Sequence, residues 1–255
     1  MNSIEESAKK IFGERAGSYT TSAAHADEQV LARIVELARP QLDWTALDIA
    51  TGTGHTALAV APYVASVIGF DLTPEMLAEA DKLRAARGVS NVTFREGDVH
   101  TLPFLNASFD LVTSRRAPHH FSNIKLALSE MKRVLRPGGR LLIDDRSVPE
   151  DDFVDACMND LDRYHDESHV RQYRPSEWQT MLKEAGFALD LAEVYTKHRP
   201  LTSLTKDVCE ENIRKIHARL ATLTEQQRQA LNLADVNGEL YINHWYVLLA
   251  ATSPP

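Results

Sequence analysis

The sequence predicts an α/β fold in which a mostly parallel β-sheet is covered by helices on both faces. Short apolar runs of the β type alternate with amphipathic helical patterns as far as Val148. The chain has 255 residues, of which 44% are hydrophobic, enough to bury a full core. No repeat, low-complexity tract or linker-like segment interrupts it, so we expect one domain.

Composition excludes several classes of function. The chain has 28 Lys and Arg against 36 Asp and Glu, and this acidic balance disfavours a nucleic-acid partner. The longest apolar stretch, Trp245 to Ala251, is far shorter than the ~20 residues that span a bilayer. The N-terminus is too polar for a secretory signal, and the two cysteines form neither a disulfide framework nor a metal site. We therefore expect a cytoplasmic protein without a membrane span or a bound metal.

Five strands are predicted in the first part of the chain, separated by amphipathic helices. The strands are Thr45–Ala50, Ser66–Asp71, Val92–Glu96, Phe109–Ser114 and Arg140–Asp144. A helix over Pro74–Arg87 has Thr73 as its N-cap and Gly88 as its end. A second helix, Ile124–Leu135, ends at the turn residues Arg136-Pro137-Gly138-Gly139.

The two ends of the chain are expected to complete the domain. The first forty residues carry one or two amphipathic helices that pack outside the core. Beyond Val148, helices are predicted over Asp151–Tyr164, Pro175–Glu184 and Leu204–Leu220, and strands over Leu189–Tyr195 and Ile242–Ala251.

A turn rich in small residues is the strongest local signal. The apolar strand ending at Ile49 runs directly into Ala50-Thr51-Gly52-Thr53-Gly54, and a helical pattern follows. Small residues let a ligand approach the backbone, and the free N–H groups at a helix start then face that ligand. Asp71 ends the second strand, where an acid can accept hydrogen bonds from both hydroxyls of a ribose.

Two kinds of ligand fit this turn. Residues Gly52 to Ala57 match the dinucleotide pattern G-x-G-x-x-A, so an NAD-dependent oxidoreductase is one alternative. Asp48 beside the turn disfavours it, because a pyrophosphate gains nothing from a nearby negative charge, whereas an ammonium group does. Asp98 follows the third strand. A ligand with an amino-acid end, a ribose and an adenine would use all three acids, and S-adenosylmethionine is such a ligand.

Five segments occur in an order that is specific when they are taken together. They are Asp48-Ile-Ala-Thr-Gly-Thr-Gly, Gly69-Phe-Asp-Leu-Thr-Pro-Glu-Met-Leu, Gly97-Asp-Val-His-Thr-Leu-Pro-Phe, Phe109-Asp-Leu-Val and Leu135-Arg-Pro-Gly-Gly-Arg-Leu. They resemble the class I S-adenosylmethionine-dependent methyltransferases, notably the branch similar to ubiquinone and menaquinone biosynthesis enzymes. The resemblance covers roughly Ile11 to Ile143. In one departure, Ala50 replaces the first glycine of the family's turn.

The resemblance implies a Rossmann-like sheet of seven strands with the last one antiparallel. Within a single domain, 1–255, it implies a helical lid (1–40), a cofactor-binding core (41–148) and a segment that completes the sheet and covers the substrate (149–255). It also implies roles by position: Asp48, Ala50, Thr51, Gly52 and Gly54 at the methionine end, Asp71, Leu72 and Met76 at the ribose, Asp98 and Val99 at the adenine, and Tyr19 closing over the cofactor. We add Arg115 to the cofactor contacts; Arg115 and Arg116 either anchor an anionic substrate or face solvent.

The segment after the fourth strand carries the candidate catalytic residues. It contains His119 and His120, and a neutral imidazole near the ligand is well suited to accept a proton. Packing or loop hydrogen bonding is the alternative role. A later polar run, Asp166 to Tyr173, either covers the substrate or forms a solvated loop, and we favour the loop.

The predicted function is therefore methyl transfer from S-adenosylmethionine to a small-molecule acceptor by in-line displacement. Two alternatives stay open: the NAD-dependent oxidoreductase, and a non-catalytic S-adenosylmethionine-binding module. The motifs do not identify the acceptor.

Overall fold

A mixed β-sheet organises the chain, for which the computed structural model describes residues 3–20, 22 and 25–254. The strands are β1 Thr45–Ile49, β2 Ser66–Asp71, β3 Val92–Glu96, β4 Phe109–Arg115, β5 Leu135–Ser147, β6 Ala188–Pro200, β7 Ala234–Val236 and β8 Glu239–Thr252. Their order is β3-β2-β1-β4-β5-β8-β6, and the short β7 pairs with β8. Strands β1 to β5 are parallel, whereas β8 runs antiparallel to its neighbours. The predicted sheet is confirmed, with β7 as an additional strand.

Helices cover both faces of this sheet. They are α1 Ser3–Thr20, α2 Glu28–Ala38, α3 His55–Val60, α4 Pro74–Ala86, α5 Ile124–Val134, α6 Asp152–His165, α7 Pro175–Glu184, α8 Thr202–Thr205, α9 Glu210–Ala221 and α10 Glu225–Ala230. Leu128 of α5 and Trp178 of α7 are buried against one face. Ile34 of α2 and Ala57 of α3 are buried against the other. The two faces therefore have separate apolar cores, as expected for a doubly covered parallel sheet.

The C-terminal part adds a third apolar cluster beside the sheet. Met158 of α6, Ile216 of α9 and Trp245 of β8 belong to it. The predicted helix Leu204–Leu220 is divided in two, because Asp207 adopts a left-handed backbone (φ 59°) between α8 and α9. Among the described residues, no helix is both long and apolar enough to cross a lipid bilayer.

Two local predictions need correction. Thr73 is the N-cap residue of α4, but its hydroxyl makes no capping hydrogen bond. Instead, Asp71 accepts a hydrogen bond from the backbone N–H of Thr73 at 2.9 Å. Strand β5 begins at Leu135, directly after α5, and not at Arg140 as predicted. The turn residues Arg136–Gly139 therefore lie within β5, at the point where its pairing with β4 shifts register.

Asp110 fixes the start of the sheet. Its carboxylate accepts a hydrogen bond from the backbone N–H of Thr45 at 2.8 Å and also pairs with Arg136. Strands β1 and β4 are thereby held level at their N-terminal ends. Their C-terminal ends then meet at one edge of the sheet, where ligands bind in open α/β folds.

Candidate functional site

A cavity lies at the C-terminal ends of β1 to β4, beneath helix α1, and we call it the strand-end cavity. Its floor is the β1–α3 turn, its walls are the ends of β2, β3 and β4, and its roof includes Phe12 and Tyr19 of α1. The sequence-predicted site residues that line it are Tyr19, Ala50, Thr51, Gly52, Asp71, Leu72, Met76, Asp98, Val99, Arg115 and His120.

The β1–α3 turn depends on three positions with left-handed backbone. These are Ala50 (φ 51°), Gly52 (φ 52°) and Gly54 (φ 84°). Ala50 and Gly52 line the cavity, but Gly54 does not. A Cβ on Gly54 would lie 3.1 Å from Phe94 and 3.2 Å from Ala80, so this glycine lets α3 pack closely on its neighbours. The prediction that Gly54 contacts the ligand does not agree with this placement.

Asp48 lies under the turn instead of in the cavity. Its side chain is buried and accepts hydrogen bonds from the hydroxyls of Thr51 and Thr113, both at 2.6 Å, and from the backbone N–H of Ala57 at 3.1 Å. Burial raises the pKa of Asp48 to about 6, in spite of these hydrogen bonds. The predicted direct contact with an ammonium group is not what this geometry provides. Asp48 shapes the turn by joining β1, α3 and β4.

Asp71 lines the cavity and is held by two backbone N–H groups. One carboxylate oxygen accepts from Gly52 at 2.7 Å and the other from Thr73 at 2.9 Å. Burial raises the pKa of Asp71. Each carboxylate oxygen has a further lone pair that a ligand hydroxyl can use. Leu72 and Met76 contribute apolar wall beside it.

Asp98 and Val99 form the wall at the end of β3. The Asp98 carboxylate accepts from the backbone N–H of His100 at 2.9 Å and lies 2.6 Å from the Nδ1 atom of that ring. Val99 supplies an apolar surface. An apolar face next to a carboxylate suits a heteroaromatic ring that carries an amino group.

Arg115, at the end of β4, has an unused donor at the cavity. Its Nε donates to the hydroxyl of Thr56 at 3.0 Å, and its Nη2 donates to the backbone carbonyl of His25. Its Nη1 is buried and has no hydrogen-bond partner among the described residues. A buried donor without a partner costs free energy, and a ligand carboxylate would satisfy it.

Helix α1 and the segment after it form the roof. The Tyr19 ring packs 6.0 Å from the Phe12 ring and 4.5 Å from the His25 ring, measured between centroids. Burial and the nearby charge of Asp166 raise the pKa of Tyr19 to about 12. Tyr19 therefore stays protonated near neutral pH, which suits a residue that covers a ligand more than one that accepts a proton.

A second cavity adjoins the first, and we call it the arginine–histidine cavity. It shares five residues with the strand-end cavity: Phe12, Tyr19, His25, Arg116 and His120. Its other lining residues are His119, Arg146, Asp162, His165, Asp166, His169, Arg199, Ser203, Leu204, His244 and Tyr246. Within the described part of the chain, no group of three or more His, Cys, Asp or Glu has the geometry of a metal site.

The two candidate catalytic histidines have different surroundings. His120 lines both cavities, and its Nδ1 lies 3.0 Å from the hydroxyl of Ser168. His119 lines only the arginine–histidine cavity, and its Nδ1 lies 2.6 Å from Asp145. Burial lowers the pKa of His119 well below its ordinary value and raises the pKa of Asp145 to about 8.

The polar run after α6 covers the second cavity, so the favoured interpretation as a solvated loop is wrong. Asp166 and His169 line the cavity, and Ser168 is fully buried. The backbone carbonyl of His119 accepts hydrogen bonds from the N–H groups of Val170 and Arg171, at 2.9 and 3.1 Å. His119 thus anchors this covering segment.

Sequence reasoning missed most of the arginine–histidine cavity. Arg146 lies at the end of β5, Arg199 near the end of β6 and His244 on β8. These strands come together only through antiparallel pairing between distant segments, such as Arg146 with Tyr246 and Arg199 with Ile242. No local motif marks that pairing. The predicted strand Ile242–Ala251 contains His244, but Arg146 and Arg199 lie just beyond the ends of the predicted strands Arg140–Asp144 and Leu189–Tyr195.

Several known proteins that are similar to this chain carry methyltransferase names. The family described as "Methyltransferase domain" matches residues 42–186. The uncharacterized methyltransferase YcgJ of Bacillus subtilis is 42% identical over 170 residues, which cover 67% of each protein. The crystal structure of YcgJ has a TM-score of 0.84 at 33% identity, and the match covers 89% of this chain and 99% of that one. A demethylmenaquinone methyltransferase of Thermus thermophilus is 42% identical over 113 residues, 44% of this chain and only 51% of that enzyme.

Replacement of Ala50 by Gly is expected to stabilise the fold. The left-handed backbone of Ala50 costs an L residue about 1 kcal/mol or more, and glycine removes this cost. We expect the free energy of unfolding from urea titration to rise by about 1 kcal/mol. The control is Ala78→Gly in the exposed interior of α4, where the same change lowers stability by about 1 kcal/mol. A loss of stability in both variants would contradict the account of the turn.

The raised pKa of Asp48 makes stability depend on pH. Folded Asp48 holds its proton more tightly than the unfolded chain does, so its favourable contribution is present at low pH and is lost as the pH rises through about 6. From pH 4 to pH 7, the free energy of unfolding of the wild type, relative to Asp48→Asn, should fall by about 2 kcal/mol. Urea titrations at several pH values measure this difference. The exposed Asp43→Asn serves as the control, and an equal pH dependence in the wild type and Asp48→Asn would refute the assignment.

Proposed function

We propose that this chain, which belongs to the methyltransferase domain family, is an S-adenosylmethionine-dependent methyltransferase that binds this cofactor in the strand-end cavity. The acceptor, a small molecule, would occupy the adjoining arginine–histidine cavity. The observation that carries the proposal is the set of charged groups around the strand-end cavity: Asp71, Asp98 and the unpartnered Nη1 of Arg115. The family match also decides against the NAD-dependent oxidoreductase that the glycine turn left open.

Each part of the cofactor has a matching group in this cavity. The Nη1 atom of Arg115 would pair with the carboxylate of the methionine end, near the N–H groups of the β1–α3 turn. Asp71 would accept hydrogen bonds from the ribose hydroxyls. Asp98 and Val99 would contact the adenine, and Tyr19 would cover the bound molecule. When bound, S-adenosylmethionine supplies a methyl group that its positive sulfur already activates.

The chain's own residues then have to position the acceptor and exclude water. Five residues line both cavities and therefore mark the region where they meet: Phe12, Tyr19, His25, Arg116 and His120. An acceptor in the arginine–histidine cavity is therefore directed towards the strand-end cavity. This geometry favours catalysis over a module that only binds the cofactor, because such a module needs no second cavity.

His120 is the proposed general base for acceptors that lose a proton. The Ser168 hydroxyl lies 2.6 Å from an oxygen of Asp166 and 3.0 Å from Nδ1 of His120. Because the hydroxyl has one proton and the carboxylate accepts it, Nδ1 of His120 must carry the proton that it donates to Ser168. In the neutral ring with this tautomer, Nε2 is the nitrogen that can accept a proton.

The cofactor assignment predicts that Asp71→Ala weakens binding of S-adenosylhomocysteine at least about tenfold, which corresponds to the loss of charge-assisted hydrogen bonds worth about 1.4 kcal/mol or more. Isothermal titration of the purified protein measures the affinity, and circular dichroism verifies the fold. Asp81→Ala, on the exposed side of α4, should bind as the wild type does. Wild-type protein that binds neither S-adenosylmethionine nor S-adenosylhomocysteine would disprove the cofactor site.

The base assignment predicts a catalytic defect without a binding defect. His120→Gln should lower turnover by about 10²- to 10⁴-fold with an acceptor that must lose a proton, and leave the affinity for S-adenosylhomocysteine unchanged. A screen of small-molecule acceptors, with S-adenosylhomocysteine production as the readout, supplies the substrate. His217→Gln, on the exposed face of α9, is the matched control. Full turnover by His120→Gln would rule out the base.

A further inference from the structure

The arginine–histidine cavity is more polar than the strand-end cavity. Of the sixteen described residues that line it, only Phe12 and Leu204 lack a polar group in the side chain. The cavity therefore presents many hydrogen-bonding groups to a ligand. An extended hydrocarbon acceptor would leave many of these groups without partners.

Two of the three arginines in this cavity already have carboxylate partners. Arg116 donates to Asp144 at 2.9 Å, and its guanidinium stacks on the ring of Tyr246 at 3.7 Å from the centroid. Arg146 donates to both oxygens of Asp162, at 2.8 and 3.1 Å. Within each pair the carboxylate neutralises the charge of the arginine. Arg116 and Arg146 therefore give the cavity hydrogen-bond donors and shape but little net charge.

Arg199 is different because it has no carboxylate within ion-pair distance in the described part of the chain. Its Nε is buried and has no hydrogen-bond partner there, and Nε of Arg146 is in the same state. Arg199 is near enough to His244 and Tyr246 for its charge to help lower the pKa of each. An arginine that faces a cavity without a counter-charge favours a ligand that supplies one.

The acids that line this cavity are not available to Arg199. Asp162 is bound to Arg146 and to the side-chain amide of Gln172. Asp166 accepts from Ser168 at 2.6 Å and lies 3.7 Å from Arg15. The buried histidines do not compete for an anion as cations, since burial lowers the pKa of His244 well below its ordinary value and that of His169 to about 3. The excess charge is therefore positive and belongs to Arg199.

We propose that the methyl acceptor is a small anion whose carboxylate or phosphate group pairs with Arg199, beside the hydroxyl of Ser203 and the ring of His244. Ser203 Oγ lies 3.2 Å from His244 Nε2, so these two groups form one polar wall. The rest of the acceptor extends towards Arg116 and His120, where the cavity meets the strand-end cavity. This inference rests on the proposed function, and it disfavours an apolar quinone as the acceptor.

The test uses matched probes that differ in charge. Benzoate, phenyl phosphate and the neutral benzamide are titrated calorimetrically into protein saturated with S-adenosylhomocysteine. We expect at least one anion to bind about tenfold or more tightly than benzamide, with the tighter anion identifying carboxylate or phosphate. Arg199→Gln should lose this preference, while Arg199→Lys retains part of it. Arg214→Gln, on the exposed face of α9, should behave as the wild type does.

Three results would overturn the proposal. They are equal binding of benzamide and the anions, no anion binding by the wild type, and unchanged anion binding by Arg199→Gln. The affinity of each variant for S-adenosylhomocysteine is measured separately, and Arg199→Gln should keep it. If the wild type fails to bind S-adenosylhomocysteine, the cofactor assignment is wrong, and the same probe titrations without it still decide the role of Arg199.

Discussion

The buried carboxylate of Asp48 is the interaction on which both cavities depend. It connects β1, where it lies, to the turn through Thr51, to α3 through the N–H of Ala57 and to β4 through Thr113. These hydrogen bonds offset part of the cost of burying a charge, although the raised pKa indicates that a cost remains. Because of these hydrogen bonds, the β1–α3 turn is held beside the strand-end cavity and β4 is fixed relative to β1.

The end of β4 connects the two cavities through adjacent arginines. Arg115 stays in the strand and reaches the strand-end cavity with an unused donor. Arg116 adopts a left-handed backbone (φ 55°), which ends the strand and turns its side chain to a position between the cavities. Its contacts with Asp144, Tyr195 and Tyr246 stabilise this unfavourable backbone conformation. One strand end thus supplies a residue to the strand-end cavity and another to the junction of the two cavities.

The segment from Asp166 to Tyr173 shows how function can depend on contacts that no local pattern reveals. Its polar composition is typical of a solvated loop, yet four of its polar residues are buried and have partners in other parts of the chain: Asp166, Ser168, His169 and Gln172. Ser168 pairs with His120, and the backbone of Val170 and Arg171 pairs with His119. The polar side chains that favoured the prediction of a solvated loop are the ones that line the arginine–histidine cavity and hold its covering segment in place.

The sequence by itself determined the sheet, the glycine turn and the residues at the ends of β2 and β3, because strand periodicity, turn residues and strand-end acids are local features of an α/β fold. It could not distinguish a ligand contact from a support: the Asp48 side chain lies under the turn, where Thr113 donates to it, and Gly54 lies against the ring of Phe94. Only the tertiary structure decided the arginine–histidine cavity. Arg146, Arg199 and His244 come together through the long-range pairing of β5, β6 and β8, which depends on burial across the whole sheet and leaves no local pattern.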